Sequence, residues 1–181
     1  MTTLTRRAHR AALTVLLLAA TSCLARNPAP PAQAPAPLFD PTVFFAGRTH
    51  GEGTLHVRVG STRALQVEGI GRSAADGSFT LDQTVTYADG VVETRSWRMR
   101  RLDAGHYAAT LSDARGAVQA EVRGNVFHLR YLIRQPAVYM EQWLYLAADG
   151  QSVANQAQVT VLGVPWARLA ETITRRPTAG E

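Results

Sequence analysis

Residues 79–101 read FTLDQTVTYADGVVETRSWRMRR, and this stretch decides the fold. Phe79, Leu81, Val85 and Tyr87 share one parity; Thr80, Asp82, Thr84 and Thr86 share the other. Successive side chains of a strand point to opposite faces, so the run reads as a strand with one buried face. Asp89-Gly90 is a tight-turn pair. Beyond it Trp97 and Met99 alternate with Arg98 and Arg100, which makes the returning strand of a hairpin.

The same rhythm extends in both directions. Leu55, Val57 and Val59 alternate with polar neighbours, as do Leu65 and Val67. Tyr107, Ala109 and Leu111 follow, then Val118, Ala120 and Val122, then Phe127, Leu129, Tyr131 and Ile133. Turn signals separate the runs: Gly60-Ser61, Asp76-Gly77, Asp103-Ala104-Gly105, Gly124-Asn125 and Asp149-Gly150. Short spacing means consecutive antiparallel hairpins. The expectation is an all-β, antiparallel up-and-down barrel of 8–10 strands, because closure removes the sheet edges that invite aggregation. Before the first strand, Asp40-Pro41-Thr42-Val43-Phe44-Phe45-Ala46-Gly47 reads as a short helix. Asp40 caps it, Pro41 takes its first position and Gly47 stops it. Phe44 and Phe45 then need burial, and a plug over one barrel end supplies it.

The start of the chain reads as an address. Arg6, Arg7 and Arg10 precede the uncharged run AALTVLLLAA at 11–20. Ten residues are too few to cross about 30 Å of hydrocarbon. A basic start, a short apolar run and small residues make a secretory signal peptide over 1–22. Ala20-Thr21-Ser22-Cys23 resembles a bacterial lipobox, which implies cleavage before Cys23 and acylation of that residue with palmitate-like chains. Residues 23–37 then form an acylated, Pro-rich tether (NPAPPAQAPAP at 27–37) expected to act as a semi-rigid spacer. Residues 38–181 form the barrel domain. Leu24, rather than Asp, follows the Cys, which favours the inner leaflet of the outer membrane, facing the periplasm.

The chain has 181 residues, with 19 Lys plus Arg against 14 Asp plus Glu. All the bases are Arg, and removing the signal peptide's three leaves sixteen against fourteen acids. So small an excess argues against a nucleic-acid partner, which needs a concentrated basic surface. The only cysteine is Cys23, so no intramolecular disulfide forms.

Several pieces together resemble a family of Gram-negative lipoproteins, domain-of-unknown-function family 3833, with a lipocalin-like barrel. They are Phe44-Phe45-x-Gly47, Tyr87-x-Asp89-Gly90, Ser96-Trp97-Arg98-Met99-Arg100-Arg101-Leu102, Gly124-Asn125 with Arg130-Tyr131, Trp143-x-Tyr145, Asp149-Gly150 and Asn155. The family often carries an acid before the Trp of Trp-x-Tyr, where this chain has Gln142. Its tail is often basic and Phe-rich, where this chain has Gly163-Val164-Pro165-Trp166 and then Leu169–Arg176.

No catalytic set emerges. There is no Gly-x-Ser-x-Gly elbow and no phosphate loop. His50, His56, His106 and His128 read as solvated or core residues, and no metal or other cofactor is expected. Asp82 and Glu93 are placed to meet across a hairpin as surface polarity. An enzyme is therefore not expected, although one acting on lipids stands as a third reading. Binding is favoured, because a small barrel can hold one ligand. Arg95, Trp97, Met99, Phe127, Tyr131, Trp143 and Tyr145 are the candidate lining. Arg95 shares parity with Trp97 and suits an acidic headgroup through its two-pronged fork. A fatty acid or phospholipid is the expected ligand and the membrane the expected partner, reached through the anchor. The rival is an accessory or assembly lipoprotein with a packed interior, acting on a protein partner through its surface. Arg58, Arg98, Arg100, Arg130 and Arg134 are expected outside.

Overall fold

The structure is a computed structural model and describes residues 24–176. Cys23, the signal segment and 177–181 lie outside the described residues. One helix, α1 (Pro41–Phe44), precedes ten strands. They are β1 (Gly47–Val57), β2 (Arg63–Ser73), β3 (Ser78–Tyr87), β4 (Val92–Arg101), β5 (Tyr107–Leu111), β6 (Gln119–Arg123), β7 (Val126–Arg134), β8 (Val138–Leu146), β9 (Ser152–Val161) and β10 (Val164–Arg176). All pairs are antiparallel, in the order β5-β4-β3-β2-β1-β10-β9-β8-β7-β6. The chain thus runs up and down, and β1 closes onto β10 from Arg48↔Arg176 to Val57↔Ala167. The two ends of the order, β5 and β6, meet only through the bridges His106↔Glu121 and Ala109↔Val118. The result is a nearly closed ten-stranded barrel, as the period-two pattern predicts.

Parity decides which side chains fill it. In β3 and β4 the buried set is Phe79, Leu81, Val85, Trp97 and Met99, while Arg98 and Arg100 face water. The barrel has a plugged end and an open one. At the plugged end, Asp40 caps α1 by accepting from the backbone N–H of Thr42 (2.9 Å) and Val43 (3.3 Å). The helix drives Phe44 and Phe45 inward beside Phe39. Phe39 meets Phe44 and Phe127 edge-on, each with centroids 5.8 Å apart, and Phe44 meets Phe45 at 5.0 Å. Such pairs add about 0.5–1.5 kcal/mol beyond burial. Gly71 on β2 makes the seat, since any Cβ there would strike the Phe45 carbonyl oxygen.

The Pro-rich segment departs from the expected spacer. It lies along the barrel wall, held at both ends. Near its start Arg168 Nη1 donates to the carbonyls of Leu24 (3.4 Å) and Ala25 (3.2 Å). Asn27 donates to the Leu169 carbonyl (2.8 Å), and Gln156 to that of Pro28 (2.8 Å). At its other end Asn125 is a latch. Its side chain accepts from Ala34 N–H (2.7 Å) and its own N–H donates to the Ala34 carbonyl (2.9 Å). Gly124, at φ +59°, lets Ala34 come this close, because a Cβ would collide with the Ala34 oxygen. Prolines lack donors, yet their carbonyls and those of the intervening alanines still accept, and polar side chains of the wall supply the donors.

Phe39→Ala is expected to lower unfolding free energy by about 3–5 kcal/mol in urea, the cost of emptying an aromatic core site. Val43→Ala, on the exposed face of α1, is expected to change it by no more than about 0.5 kcal/mol. Asn125→Ala is expected to release residues 24–37 to limited proteolysis ahead of the barrel.

Candidate functional site

Four polar residues occupy slots that the parity rule assigns to the interior. Gln83 sits between Leu81 and Val85, Gln142 between Met140 and Leu144, Asn155 between Val153 and Ala157, and Glu171 between Leu169 and Ile173. The structure brings them into one belt across the barrel. Gln142 Nε2 donates to Tyr131 Oη at 2.9 Å. Asn155 Nδ2 donates to Glu171 Oε2 at 2.8 Å and to Gln142 Oε1 at 3.4 Å. On the facing wall Gln83 Oε1 accepts from both Arg95 Nε and Trp97 Nε1, each at 3.0 Å. Trp97 stands edge-on to Tyr131 with centroids 5.7 Å apart, which joins the two halves.

Glu171 has room for its carboxyl because Gly51 opposes it, and a Cβ at Gly51 would strike Oε1. Burial pushes the Glu171 carboxyl above the usual range, against smaller lowering effects from Asn155 and the Arg95 charge. Oε1 of Glu171 and Oδ1 of Asn155 are buried and accept no hydrogen bond. A protonated Glu171 adds a donor to this cluster, the chemical remedy for two orphaned acceptors. Burial also pushes the Tyr131 phenol up to about 12.

The belt divides the interior. Toward the plug, a void of about 30 Å³ lies among Gln83, Arg95, Trp97, Gln142, Asn155 and Glu171. That is one water's share of liquid volume. The Phe cluster and Trp97 fill that half, so the interior around Trp97 and Tyr131 is close-packed. Toward the open end lies a cup of about 150 Å³. Leu55, Leu65, Val67, Val85, Met140 and Leu169 wall it, with Arg95 and Tyr87 also facing it. Arg95 touches both spaces and so forms the floor of the cup. Among the described residues its hydrogen bond is the one from Nε to Gln83, which leaves the terminal nitrogens of its fork for another acceptor. A larger concavity, about 810 Å³, is an open trough on the outer wall beside Pro28, Ala29 and Pro31.

Arg95, Trp97, Met99, Phe127 and Tyr131 face inward as the sequence indicates. Trp143 and Tyr145 do not line the interior. In β8 the buried parity is Gln142, Leu144 and Leu146, so the intervening aromatics point outward. Trp143 stacks on His128, with centroids 5.4 Å apart. Asp82 and Glu93 do not meet either. Asp82 lies outside with Arg72 (2.9 Å) and Ser96 (2.8 Å), whereas Glu93 accepts from Tyr87 Oη at 3.2 Å. Arg98, Arg100, Arg130 and Arg134 are exposed. Three histidines pair with acids, His50 with Glu68 (2.6 Å), His106 with Asp103 (2.9 Å) and His128 with Glu141 (2.9 Å), while His56 bonds Thr62 (3.0 Å). Glu68 and Glu52 hold the His50 imidazole above its usual value. Among the described residues no group of three or more His, Cys, Asp or Glu is placed to hold a metal ion.

The sequence profile of a family described as proteins of unknown function, DUF3833, matches residues 17–175. The chain belongs to that family. No curated protein matches it. Among solved structures it is similar to the S-type phycobiliprotein lyase CPES from Guillardia theta. The TM-score is 0.60 at 8% identity, over 76% of this chain and 91% of that one. It is also similar to Rv2717c from M. tuberculosis, with TM-score 0.55 at 16% identity, over 76% of this chain and 99% of that one. These likenesses establish the lipocalin-like barrel and nothing about chemistry.

Glu171→Gln is expected to stabilise the fold at neutral pH and to have little effect near pH 4. The folded state holds the Glu171 proton more tightly than the unfolded chain does, so wild-type stability falls as pH rises above the ordinary carboxyl value. The neutral amide removes that slope. Thermal unfolding from about pH 4 to pH 8 measures it.

Proposed function

We infer that the protein is a bacterial envelope lipoprotein, anchored through Cys23, whose barrel binds a small apolar acid such as a fatty acyl chain. The observation that carries the ligand is Arg95. A guanidinium with an open fork forms the floor of a cup whose walls are otherwise mainly aliphatic. A carboxylate or phosphate seated there gains two parallel charge-assisted hydrogen bonds, and the attached chain lies along Leu55, Val67, Val85 and Leu169. Burial raises the Glu171 carboxyl's hold on its proton, which lessens the repulsion it offers an incoming anion. The site is thus the cup at the open end and not the filled half around Trp97 and Tyr131.

The reading is non-enzymatic. None of the described histidines lines the cup: His50, His106 and His128 pair with carboxylates and His56 with Thr62. The anchor reading rests on Cys23, the sole cysteine, in a lipobox-like setting that falls within the family match. Leu24 after it supports the outer membrane, periplasmic side. The second reading, an accessory lipoprotein acting through its surface, draws support from the close-packed half of the barrel.

Titration with the fluorescent fatty acid cis-parinaric acid is expected to saturate at one site. Arg95→Met is expected to weaken it about 10- to 100-fold, the loss of a charged hydrogen-bonding pair. Native mass spectrometry of protein taken from the bacterial envelope is expected to show a bound acyl species. No saturable binding and no adduct would favour the surface role. Separately, globomycin is expected to accumulate the unprocessed chain, and Cys23→Ser to move the protein out of the membrane fraction.

A further inference from the structure

Exposed apolar side chains gather at the open end of the barrel. Val59 lies in the β1–β2 loop, Val91 and Val92 in and after the β3–β4 loop, Leu162 in the β9–β10 turn, and Val164 and Trp166 in the first residues of β10. All six ring the cup. Leu162 and Val59 are 71% and 70% exposed. Among the described residues Leu162 is the one non-glycine with positive φ, at +49°, followed by Gly163 at +80°. That turn suits Asn-Gly, and a Leu there gives up turn chemistry without gaining burial. The fold does not explain it. At the plugged end Leu38, Val43 and Leu102 are exposed but flank α1 and a hairpin away from the cup.

Two further observations say what covers this rim. Arg115, in the β5–β6 loop, and Arg134, the last residue of β7, are exposed at the same end, and neither is in an ion pair among the described residues. The described chain also begins there. Leu24 sits on Arg168, four residues along β10 from Val164, or about 13 Å by strand rise, and about 26 Å from the strand's other end. The residue before it is Cys23.

We propose that the rim of the cup is a bilayer-docking surface. Val59, Leu162 and Trp166 enter the acyl region, Arg115 and Arg134 lie against anionic headgroups, and the cup opens directly onto lipid. Tryptophan and arginine at a water–lipid boundary suit this placement. The proposal rests in part on the anchor reading above, and it adds the orientation of the barrel and the route by which an acyl chain reaches Arg95.

The test uses full-length protein extracted from bacterial envelope and reconstituted into phosphatidylethanolamine–phosphatidylglycerol vesicles. An environment-sensitive fluorophore is attached at Val59→Cys or Leu162→Cys, and at Val43→Cys or Leu102→Cys as controls. The rim labels are expected to shift to the blue and to be quenched by lipids brominated in their acyl chains, and the control labels to do neither. Leu162→Asn is expected to reduce quenching of the Val59→Cys label while raising the thermal unfolding midpoint. A merely structural Leu162 would not separate those two readouts. Rim labels that stay water-like overturn the proposal. So does a blue shift without bromolipid quenching, which would place a second copy or a partner protein on the rim. A thiol assay on the unlabelled protein reads the anchor by itself. If Cys23 proves free, the same labels in a Cys23→Ser background are read with vesicles added from solution, and absence of quenching then overturns the rim alone.

Discussion

The pairing of β1 with β10 is the constraint on which the rest depends. Ten register pairs, from Arg48↔Arg176 to Val57↔Ala167, join the first strand to the last and turn a flat meander into an enclosure. Without that closure both strands would be edges, exposing unpaired N–H and C=O groups. Closure also creates the chemistry. Gly51 on β1 pairs with Ile173 on β10, and the space its missing side chain leaves is where the Glu171 carboxyl sits. The site is therefore a product of pairing between the first strand and the last. Its cost in loop entropy is shared among the nine hairpins and bridges that bring the two strands together.

The interior is not uniform, and its two halves follow different physics. Below the belt, rings from α1, β4 and β7 interlock at 5–6 Å centroid separations, and the remaining void has the size of a water molecule. Above it the walls are aliphatic and stop short of filling the space. The belt between them is a chain of amides and a carboxyl that would be wasteful in a purely structural core, since burying an unsatisfied polar group costs about 1–3 kcal/mol. A molecule that keeps Glu171 and Asn155 with orphaned oxygens beneath an open arginine fork gives up stability there. Binding and catalytic sites commonly carry such a cost.

Much of the barrel was legible in the chain. Period-two runs and Asp-Gly turns predict consecutive hairpins, and Asp40-Pro41 with Phe44-Phe45 predicts a capped plug. Both depend on local rules that act within a few residues. Parity ties Arg95 to the same face as Trp97 and Met99, but the sequence leaves open which face of that strand is interior, and the structure supplies the choice. Trp143 and Tyr145 show the limit of that reasoning. Their aromatic character suggests burial, yet Gln142, Leu144 and Leu146 hold the inward parity, and a hydrophobic side chain on the outer face can stack on His128 instead. The belt itself was readable in principle as polar residues at apolar-parity positions. That signal separates from ordinary loop polarity only once strand limits are known. The laid-down tether was hidden because its partners, Asn125, Gln156 and Arg168, lie 91 to 144 residues away in sequence.

That segment changes how the domain stands in its surroundings. A proline-rich stretch fixed at Leu24 by Arg168 and at Ala34 by Asn125 behaves as a strut rather than a leash. Its contour length no longer sets how far the barrel roams. Residues 24–34 cannot swing away from the barrel without breaking these hydrogen bonds, so the segment and the barrel move as one body. Residues inserted between the two staples would bulge sideways and leave both pinned ends where they are.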